Sequence, residues 1–310
     1  MVSVVIPNYN HASFLEKRIK SVLEQSYDNF EVILLDDLST DNSREIMSKY
    51  KEHPKVSELV FNEENSGSTF AQWKKGINLA KGKYIWFAES DDWASPYFLE
   101  YTVKYLEKDK NTSLCYTDSI IVNRNGDTVT KSSVQKNVKF STTRWDDDYI
   151  NKGEHEILDF LSTHTTINNM SAVLMRTDIV KEHINKITKH KVFGDVLLCS
   201  LIIMNYDIQY VAKPLNYYRT DEKNTSQKHI QSGTIFQEQI SVQSQIIALF
   251  NHKKTLKKKV FKKTIAILFE RYTLYNYSYI SLLRSLSTQP KIGIALNILF
   301  FKESVKKIFI

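Results

Sequence analysis

The sequence predicts an α/β fold in which a mainly parallel, doubly wound sheet is flanked by helices. In the amino-terminal part, four apolar runs typical of buried strands alternate with three segments of helical apolar spacing. This alternation has the length of βαβ units, whose crossovers place successive strands parallel. The fourth strand is followed by Glu89, Asp91 and Asp92, and ligands of open α/β sheets bind beyond the carboxyl ends of the strands.

The amino-terminal elements are assigned in chain order. We expect the first strand at residues 2–6, ended by Pro7, and the remaining strands and the helices at residues 12–25, 30–35, 43–50, 56–61, 69–80 and 84–88. Pro96 is expected at the first position of the next helix. The acidic residues therefore lie on a loop between the fourth strand and this helix.

The pattern is less regular beyond residue 110. The Asn125-Gly126-Asp127 turn predicts a hairpin of strands 114–122 and 128–134. We interpret residues 136–153 as a variable polar loop, in which Asp146, Asp147 and Asp148 are solvated because no second ligand group accompanies them. The remaining elements are predicted, as strand or helix, at residues 157–161, 168–176, 177–187, 192–204, 208–211 and 215–218.

Composition indicates one large domain, or a domain with an appendage, and the boundary is placed between residues 1–230 and 231–310. The two cysteines, Cys115 and Cys199, are far apart in sequence and lack metal-site spacing, which favours a reducing, cytoplasmic location without a disulfide framework. The first residues lack the basic and long apolar regions of a secretory signal and are read as a strand.

Positive charge is concentrated in the carboxyl-terminal region. The whole chain has a net charge of +7. Residues 223–310 contain 15 Lys or Arg and 3 Asp or Glu, a net charge of +12, which leaves −5 for the rest of the chain. This asymmetry indicates that the carboxyl-terminal region, rather than the catalytic part, meets an anionic partner.

The carboxyl-terminal region is predicted to be helical at residues 237–250 and 260–284, with a dense lysine run between them. Residues 292–301 are apolar but too short to span a bilayer. Two interpretations remain open: an interfacial helix on anionic lipid at the inner face of the cell membrane, and a helical appendage with a solvated lysine face. A nucleic-acid partner is disfavoured because no binding motif is present, and the sequence leaves the oligomeric state open.

Neither a Walker-type loop nor a G-x-G-x-x-G motif follows the first strand, which argues against P-loop and dinucleotide-binding folds. Candidate nucleotide ligands instead follow three strands. Tyr9 can stack on a base, Asp37 can accept a hydrogen bond from a base N–H, and Asp91 can hold a metal on phosphates. Each has a structural alternative when taken alone, but together they favour a nucleotide-diphosphate site.

The acidic loop itself has two interpretations. Three carboxylates within four residues repel one another unless a cation joins them, and Mg²⁺ is commonly bound by one or two protein carboxylates together with substrate phosphates. A solvated acidic turn is the alternative.

Three segments together resemble the family 2 glycosyltransferases, which have the GT-A fold. They are Val2-Ser3-Val4-Val5-Ile6-Pro7-Asn8-Tyr9-Asn10, Glu31-Val32-Ile33-Leu34-Leu35-Asp36-Asp37-Leu38-Ser39-Thr40-Asp41-Asn42-Ser43 and Glu89-Ser90-Asp91-Asp92. The resemblance covers roughly residues 1–226. It implies transfer of a sugar, with inversion, from a nucleotide-sugar donor to the hydroxyl of a glycan or lipid-linked glycan, as in bacterial surface polysaccharide synthesis.

The resemblance also implies roles for individual residues. Tyr9 would line the base pocket and Asp37 would bind the base, most often uracil. Asp91 matches the last Asp of the D-x-D motif and would coordinate Mn²⁺ or Mg²⁺. Glu89 stands where the motif has its first Asp. Pro7 and Ser90 lie within the matched motifs and are assigned to donor binding.

Four positions depart from the family pattern or are matched only in part. Trp73-Lys74 replaces an Arg-Asn pair, so that Lys74 is a candidate phosphate ligand and, alternatively, a surface lysine. Asp195, in Gly194-Asp195 instead of a Glu-Asp pair, would be the general base; its structural alternative is a helix cap. Arg219 is a candidate for phosphate or acceptor contact, and Asp221 stands where a His is frequent.

Two other functions remain as alternatives. A nucleotidyltransferase also joins an α/β sheet to metal-binding carboxylates, but its usual Gly-rich signature after the first strand is absent. A catalytically weakened nucleotide-sugar-binding module is the second alternative, because Glu89, Gly194 and Asp221 depart from the family pattern.

Overall fold

The computed structural model describes residues 1–167, 169–220, 234–275 and 277–308. Two predicted features lie partly or wholly outside these residues. Asn168 belongs to the strand predicted at 168–176, and Asp221 belongs to the closing segment of the resemblance.

Strands of the sheet come from the first 219 residues. In chain order they are β1 (Val2–Asn8), β2 (Phe30–Asp36), β3 (Val56–Phe61), β4 (Tyr84–Phe87), β5 (Trp93–Ala94), β6 (Thr112–Val122), β7 (Thr128–Lys131), β8 (Tyr149–Lys152), β9 (Val173–Arg176) and β10 (Asp207–Arg219). Within the described residues, they form one 10-stranded sheet of order β3-β2-β1-β4-β9-β6-β10-β5, with β7 on β6 and β8 on β10.

The amino-terminal half of the sheet is parallel. β3, β2, β1 and β4 are paired in parallel, whereas β9 runs antiparallel between β4 and β6. β2 and β4 flank β1 on opposite sides, so the chain reverses its winding direction at β1. The carboxyl end of β1 is therefore a topological switch point, where open α/β sheets form their binding crevice.

Helices cover both faces of the sheet. They are α1 (Ala12–Leu23), α2 (Ser43–Ser48), α3 (Thr69–Leu79), α4 (Phe98–Lys108), α5 (Ser132–Phe140), α6 (Gly153–Glu156), α7 (Thr177–His183), α8 (Gly194–Ile203), α9 (Thr234–Leu249), α10 (Lys254–Leu274), α11 (Tyr279–Thr288) and α12 (Pro290–Ile308). Alternate strand residues serve the two faces: Val5 belongs to the core beneath α3 and α8, and Val4 to the core beneath α1 and α4. The predicted α/β architecture is confirmed.

Pro7 does not end the first strand, contrary to the prediction. β1 continues to Asn8, and Pro7 lies opposite Leu35 of β2. Along a strand, the N–H and C=O of one residue point to the same neighbour, and alternate residues share that direction. The carbonyl of Val5 accepts the N–H of Ala88, the residue after β4, at 2.8 Å, so the backbone of Pro7 also faces the β4 side. β4 ends at Phe87, and the missing N–H of Pro7 therefore costs no ladder hydrogen bond.

Pro96 also differs from the prediction, because α4 begins at Phe98 rather than at the proline. The carbonyl of Pro96 accepts a hydrogen bond from Ser26 N–H at 2.8 Å. Pro96 is thus part of a turn that joins the segment before α4 to the end of α1.

The prediction of a loop at residues 136–153 is wrong. The segment contains most of α5, a 3₁₀ turn and β8. Its aromatic residues explain the order: Trp145 is buried and lies 5.3 Å from Phe140 and 5.5 Å from Phe160, measured between ring centroids. The three following aspartates are exposed. The predicted hairpin forms, but β7 ends at Lys131 and Val134 belongs to α5.

Two further boundaries changed. Residues 208–211 and 215–218 form one strand, β10, whose register shifts at Pro214. The helix predicted at residues 260–284 is two helices, α10 and α11, and α11 begins after Ser278, whose hydroxyl accepts the Ser281 N–H. Apolar residues of α9 to α12 belong to the same core as α8. The boundary near residue 230 stays a prediction.

Candidate active site

A cavity of about 290 Å³ lies at the carboxyl ends of β1, β2 and β4. Five of the residues predicted to bind the donor are among those that line it: Pro7, Tyr9, Asp37, Glu89 and Ser90. The parallel order of these strands brings the three loops together, as the sequence indicated. The other lining residues are Asn8, His11, Asn65, Gly67, Ser68, Thr69, Gln72 and Lys191.

The carboxylate of Asp37 is held in one orientation. Its Oδ1 accepts hydrogen bonds from Asn62 Nδ2 at 2.7 Å, Ser66 N at 2.9 Å and Gln72 Nε2 at 2.8 Å. Its Oδ2 accepts one bond from Ser66 Oγ at 2.8 Å. A carboxylate oxygen can accept about two such bonds, so Oδ2 retains capacity for a donor group of a ligand in the cavity.

Tyr9 offers a flat surface on the same cavity. It follows β1 and is 48% exposed. The neighbouring Asn10 adopts a left-handed backbone conformation with φ 56°, and its side chain accepts the N–H of Thr40 at 2.7 Å. This contact fixes the loop that carries Tyr9, whose ring is therefore available to stack on a ligand. Across the cavity, His11 Nδ1 is 2.8 Å from Ser90 Oγ.

Several hydrogen bonds and one ion pair fix the acidic loop after β4. Glu89 Oε1 accepts a 2.8 Å hydrogen bond from Trp73 Nε1. Asp92 accepts the backbone N–H of Arg219 at 2.8 Å and is also bonded to Asn169 Nδ2. Arg18, which is completely buried, donates to the Glu89 carbonyl at 2.7 Å and lies 3.9 Å from Asp92 Oδ2.

The loop nevertheless carries excess negative charge. Burial, followed by repulsion from Asp91, raises the pKa of Glu89 to about 8. The same two causes raise the pKa of Asp92 to about 7. Arg18 offsets only part of this repulsion, and burial lowers the pKa of its own guanidinium to about 10. Carboxyl groups that hold protons this strongly favour the binding of an added cation.

Asp91 is the residue best suited to bind that cation. It is partly exposed, and its carboxylate has no hydrogen-bond partner among the residues that the structure describes, although its backbone carbonyl accepts Arg219 Nε–H at 2.9 Å. Within the described ranges, no three His, Cys, Asp or Glu side chains form a complete metal cage. Asp91 is not among the residues that line this cavity or the second one, although the preceding Ser90 lines the first. The Asp91 carboxylate fits a divalent cation whose remaining ligands are phosphate oxygens and water.

Basic residues near the cavity differ from those that the sequence predicted. Lys74 is exposed on α3 and is not among the cavity-lining residues. Lys191, from the loop before α8, lines the cavity, and its Nζ donates to the Gly67 carbonyl at 3.1 Å. Arg219 lines neither this cavity nor the next one and instead binds backbone carbonyls of Asp91 and Asn123. The structure therefore places Lys191, rather than Lys74, beside the predicted donor site.

Asp195 lines a second cavity, of about 410 Å³. It lies in the first turn of α8 and accepts the N–H of Val196 at 2.7 Å. Burial raises the pKa of its carboxyl group to about 6, and the carboxylate of Glu238 adds to this effect, whereas the Val196 N–H opposes it. Asp195 is thus a stronger base than an exposed aspartate and still ionises at neutral pH.

Neighbouring residues of one loop line the two cavities. Lys191 lines the first cavity, and Val192 and Phe193 line the second. Tyr218 also lines the second cavity. Burial raises the pKa of its hydroxyl, and the carboxylates of Asp92, Asp91 and Asp195 raise it further. The negative charges of the acidic loop and of Asp195 therefore both act on this phenol.

The loop before α8 is anchored by the carboxyl-terminal region. Glu238 of α9 accepts the backbone N–H groups of Lys191, Val192 and Phe193 at 2.8 to 3.0 Å. His190 Nδ1 lies 3.7 Å from the same carboxylate. One acidic side chain thus fixes the segment between the two cavities.

Sequence reasoning missed several of these residues. Gln72 and Trp73 lie on α3, and only Trp73-Lys74 was noticed there, for its charge. Arg18 is one of several basic residues on an amphipathic helix, and Lys191 and Glu238 precede or follow apolar runs without a motif. The available signal was an arginine on the apolar face of α1, beside Leu15, Ile19 and Val22.

Comparison with known proteins gives a family match. The model of "Glycosyl transferase family 2" matches residues 3–184. The putative teichuronic acid biosynthesis glycosyltransferase TuaG of Bacillus subtilis is 40% identical over 92 residues, which are 30% of this chain and 36% of TuaG. Chondroitin synthase of Pasteurella multocida is 35% identical over 127 residues, 41% of this chain and 13% of the synthase. The chain therefore matches only about a third or less of these relatives' length.

Solved structures share the fold. TarS 1-349 of S. aureus in complex with UDP-GlcNAc superposes with a TM-score of 0.64 at 20% identity, over 93% of this chain and 75% of TarS 1-349. The mannosyltransferase PcManGT of Pyrobaculum calidifontis, in complex with GDP-Man and Mn²⁺, gives a TM-score of 0.56 at 14% identity, over 98% of this chain and 79% of PcManGT. At these identities the likeness is one of fold.

Proposed function

Because the chain belongs to the family 2 glycosyltransferases, we propose that it moves a sugar from a nucleotide-diphosphate sugar to an acceptor hydroxyl with inversion at the anomeric carbon. The observation that carries this proposal is the cavity at the ends of β1, β2 and β4, where Tyr9 and Asp37 face the acidic loop. A stacking ring, a fixed carboxylate and a cation-binding loop match a base, its N–H and a diphosphate.

The donor is proposed to be a UDP-sugar. The Oδ2 atom of Asp37 has capacity to accept the N–H of uracil while Tyr9 stacks on the ring, and Pro7 and Ser90 complete the walls. TarS 1-349, which shares the fold, binds UDP and UDP-GlcNAc. PcManGT binds GDP-Man, so the base preference needs a direct test.

Asp91 is proposed to hold Mn²⁺ or Mg²⁺ on the donor diphosphate. The bound cation would act as a Lewis acid for the negative charge that collects on the leaving phosphate oxygens. Glu89 and Asp92 support the loop through Trp73 and Arg219. Lys191 provides a second positive charge at the cavity and can turn from the Gly67 carbonyl to a phosphate oxygen.

Asp195 is proposed to be the general base. The acceptor hydroxyl would attack the face of the sugar opposite the leaving diphosphate while Asp195 removes its proton. A carboxylate with a pKa of about 6 is still a weak base toward an alcohol, so proton transfer is late, after the new bond has begun to form. The second cavity, with Phe193 and Tyr218 beside Asp195, has the aromatic walls that bind sugar rings.

The acceptor is proposed to be a surface glycan or its lipid-linked precursor. Relatives named for teichuronic acid biosynthesis and for chondroitin synthesis support this class of product. We place the reaction in the cytoplasm, because Cys115 and Cys199 are both free and buried, as is usual in a reducing compartment.

One experiment separates this function from its two alternatives. The protein is incubated with a panel of UDP- and GDP-sugars, with Mn²⁺ or with excess chelator, and nucleoside diphosphate release is measured. We expect release from at least one donor with Mn²⁺ and none with chelator. Calorimetric donor binding without release would indicate a catalytically weakened module. Pyrophosphate release from a nucleoside triphosphate and a sugar phosphate would indicate a nucleotidyltransferase.

A further inference from the structure

The carboxyl-terminal helical hairpin exposes an apolar surface. We define the carboxyl-terminal apolar face as Tyr279, Ile280 and Leu283 of α11 with Ile294, Ile298 and Phe301 of α12. Their exposed fractions lie between 37% and 62%. Single exposed apolar residues are common on protein surfaces, but a contiguous group of this size usually marks an interaction site.

Helical spacing places these residues on one side of each helix. Ile294, Ile298 and Phe301 recur at intervals of four and three residues, which gives one stripe along α12. Ile292 and Leu296 occupy the opposite side of α12 and are buried in the core, as is Leu282 of α11. The hairpin therefore already buries one apolar side and leaves a second one uncovered within the described residues.

An aromatic contact joins the two stripes into a single surface. The Tyr279 ring stacks on Phe300 with centroids 5.0 Å apart and meets Phe301 edge-on at 6.4 Å. At the other end of the hairpin the helices are in close approach, because a Cβ at Gly293 would lie 2.6 Å from the backbone nitrogen of Leu286. The two helices thus contact each other at both ends of the hairpin.

Positive charge borders the carboxyl-terminal apolar face, and the sequence from residue 277 to residue 302 has no acidic residue, although Glu303 follows. Lys291 lies one turn before Ile294, Lys302 lies one turn after Ile298, and Arg284 follows Leu283; all three are exposed. Further exposed lysines lie elsewhere in the carboxyl-terminal region, at the amino-terminal end of α10: Lys254, Lys258, Lys259, Lys262 and Lys263, of which Lys263 is paired with Asp159.

We propose that the carboxyl-terminal apolar face binds the surface of an anionic lipid membrane. Its exposed Ile, Leu and Phe side chains would enter the boundary between headgroups and acyl chains while the lysines contact lipid phosphates. Among the described residues, no helix is long and apolar enough to cross a bilayer, so the contact is interfacial. This binding is independent of the chemistry proposed for the two cavities.

A membrane accounts for both properties of this surface. A symmetric dimer through the same face would bring the basic borders of two chains together without an acidic partner. Nucleic acid would use the lysines but leave the apolar side chains in water. An anionic membrane satisfies the apolar and the basic residues at the same time.

The test is co-sedimentation of the full chain with vesicles of phosphatidylcholine alone or mixed with phosphatidylglycerol. We expect binding to the anionic vesicles only, with a large decrease at high salt. Ile294→Ser with Ile298→Ser should weaken binding by at least about tenfold, because two buried side chains are lost. The matched control is Val134→Ser with Val138→Ser, two exposed apolar residues four apart on α5, which should bind as the parent does.

Two double lysine-to-glutamine variants test the role of the basic residues in membrane binding. Lys291→Gln with Lys302→Gln should weaken binding by about fivefold for each lysine. Lys51→Gln with Lys110→Gln removes the same net charge from exposed positions in the amino-terminal part and should have little effect. Circular dichroism and thermal unfolding confirm that each variant is folded.

Three results would overturn the proposal. Equal binding of the parent chain to neutral and anionic vesicles would remove the role of charge. Unchanged vesicle binding of the folded Ile294→Ser, Ile298→Ser variant would show that the apolar face does not take part in binding. Sedimentation velocity that shows a dimer lost in this variant, without vesicle binding by the parent chain, would assign the face to a second copy. Donor hydrolysis by all variants separates these results from a failure of the proposed function.

Discussion

The indole N–H of Trp73 donates a 2.8 Å hydrogen bond to the carboxylate of Glu89, and this contact joins α3 to the acidic loop. The indole also stacks on Phe87, with ring centroids 4.7 Å apart and an interplanar angle of 5°. Glu89 therefore keeps a polar partner against an otherwise apolar surface. Glu89, whose side chain is longer than that of the aspartate usual in the motif, thus pairs with the indole N–H of Trp73.

Removing the indole donor should destabilise the protein. Trp73→Phe keeps an aromatic ring over Phe87 but leaves the partly buried Glu89 carboxyl group without its donor. We expect the free energy of unfolding to decrease by about 1–3 kcal/mol, measured by urea denaturation.

A double-mutant cycle provides the control for this pair. In a Glu89→Leu background the acceptor is gone, so Trp73→Phe should cost at least about 1 kcal/mol less than in the parent chain. Strictly additive effects of the two substitutions would show that the hydrogen bond contributes nothing to stability.

Lys191, rather than Lys74, should govern donor affinity. Lys191 lines the first cavity and is bonded to the Gly67 carbonyl across it, whereas Lys74 is exposed on α3. Lys191→Ala should raise the Kd for the donor, measured by calorimetry, by about tenfold, the loss of one charge-assisted contact. Lys74→Ala is the matched control and should leave the Kd for the donor unchanged. A larger effect of Lys74→Ala than of Lys191→Ala would support the role that the sequence predicted for Lys74.

Asp195→Asn should abolish most turnover while sparing donor binding. The amide keeps the size of the side chain and can still accept the Val196 N–H, so α8 should retain its first turn. Loss of a general base lowers kcat by about a hundredfold or more. Donor affinity, measured separately by calorimetry, should change by less than about twofold. A variant that retains parental kcat would exclude Asp195 as the base.

The pH profile should report the ionisation of Asp195. The base acts only when it is deprotonated, and its pKa is raised to about 6. Since kcat/KM reports groups of the free enzyme, its value should fall about tenfold per pH unit below pH 6 and level off above it. Carboxylates elsewhere in the site also titrate, so the profile of the parent chain alone does not identify the group.

Glu238 provides the discriminating variant for this profile. Its negative charge raises the pKa of Asp195, and Glu238→Gln removes that charge. The midpoint of the acid limb should therefore move to lower pH. A midpoint that stays at its parental value, in a variant whose kcat is otherwise measurable, would mean that the titrating group is not Asp195.

The parallel half of the fold and its ligand edge were predictable because they depend on local patterns. β1, β2 and β4 are apolar runs, and the polar residues that follow them meet at one edge whenever such strands are parallel. For this reason Tyr9 and Asp37 could be predicted to lie at the same edge, where both line the first cavity; their roles stay a prediction. The continuation of β1 through Pro7 was not predictable, because it depends on where the neighbouring strand β4 ends, at Phe87.

Other features depend on contacts between distant segments and leave no local signal. Residues 136–153 are polar on average, but Trp145 anchors them in an aromatic cluster that includes Phe160. Lys191 lines the first cavity and makes a carbonyl contact there with Gly67, 124 positions away in sequence. Such pairings are decided by packing, and neither composition nor periodicity predicts them.

The three N–H groups that converge on Glu238 affect how this protein can be engineered. A chimera that joins residues before 230 to the tail of another glycosyltransferase would leave the backbone of Lys191, Val192 and Phe193 without its acceptor. The exchanged module must therefore bring an acidic residue in the first turns of its leading helix. Otherwise the exchange of a tail that lies far from both proposed substrates would impair donor binding and acceptor activation.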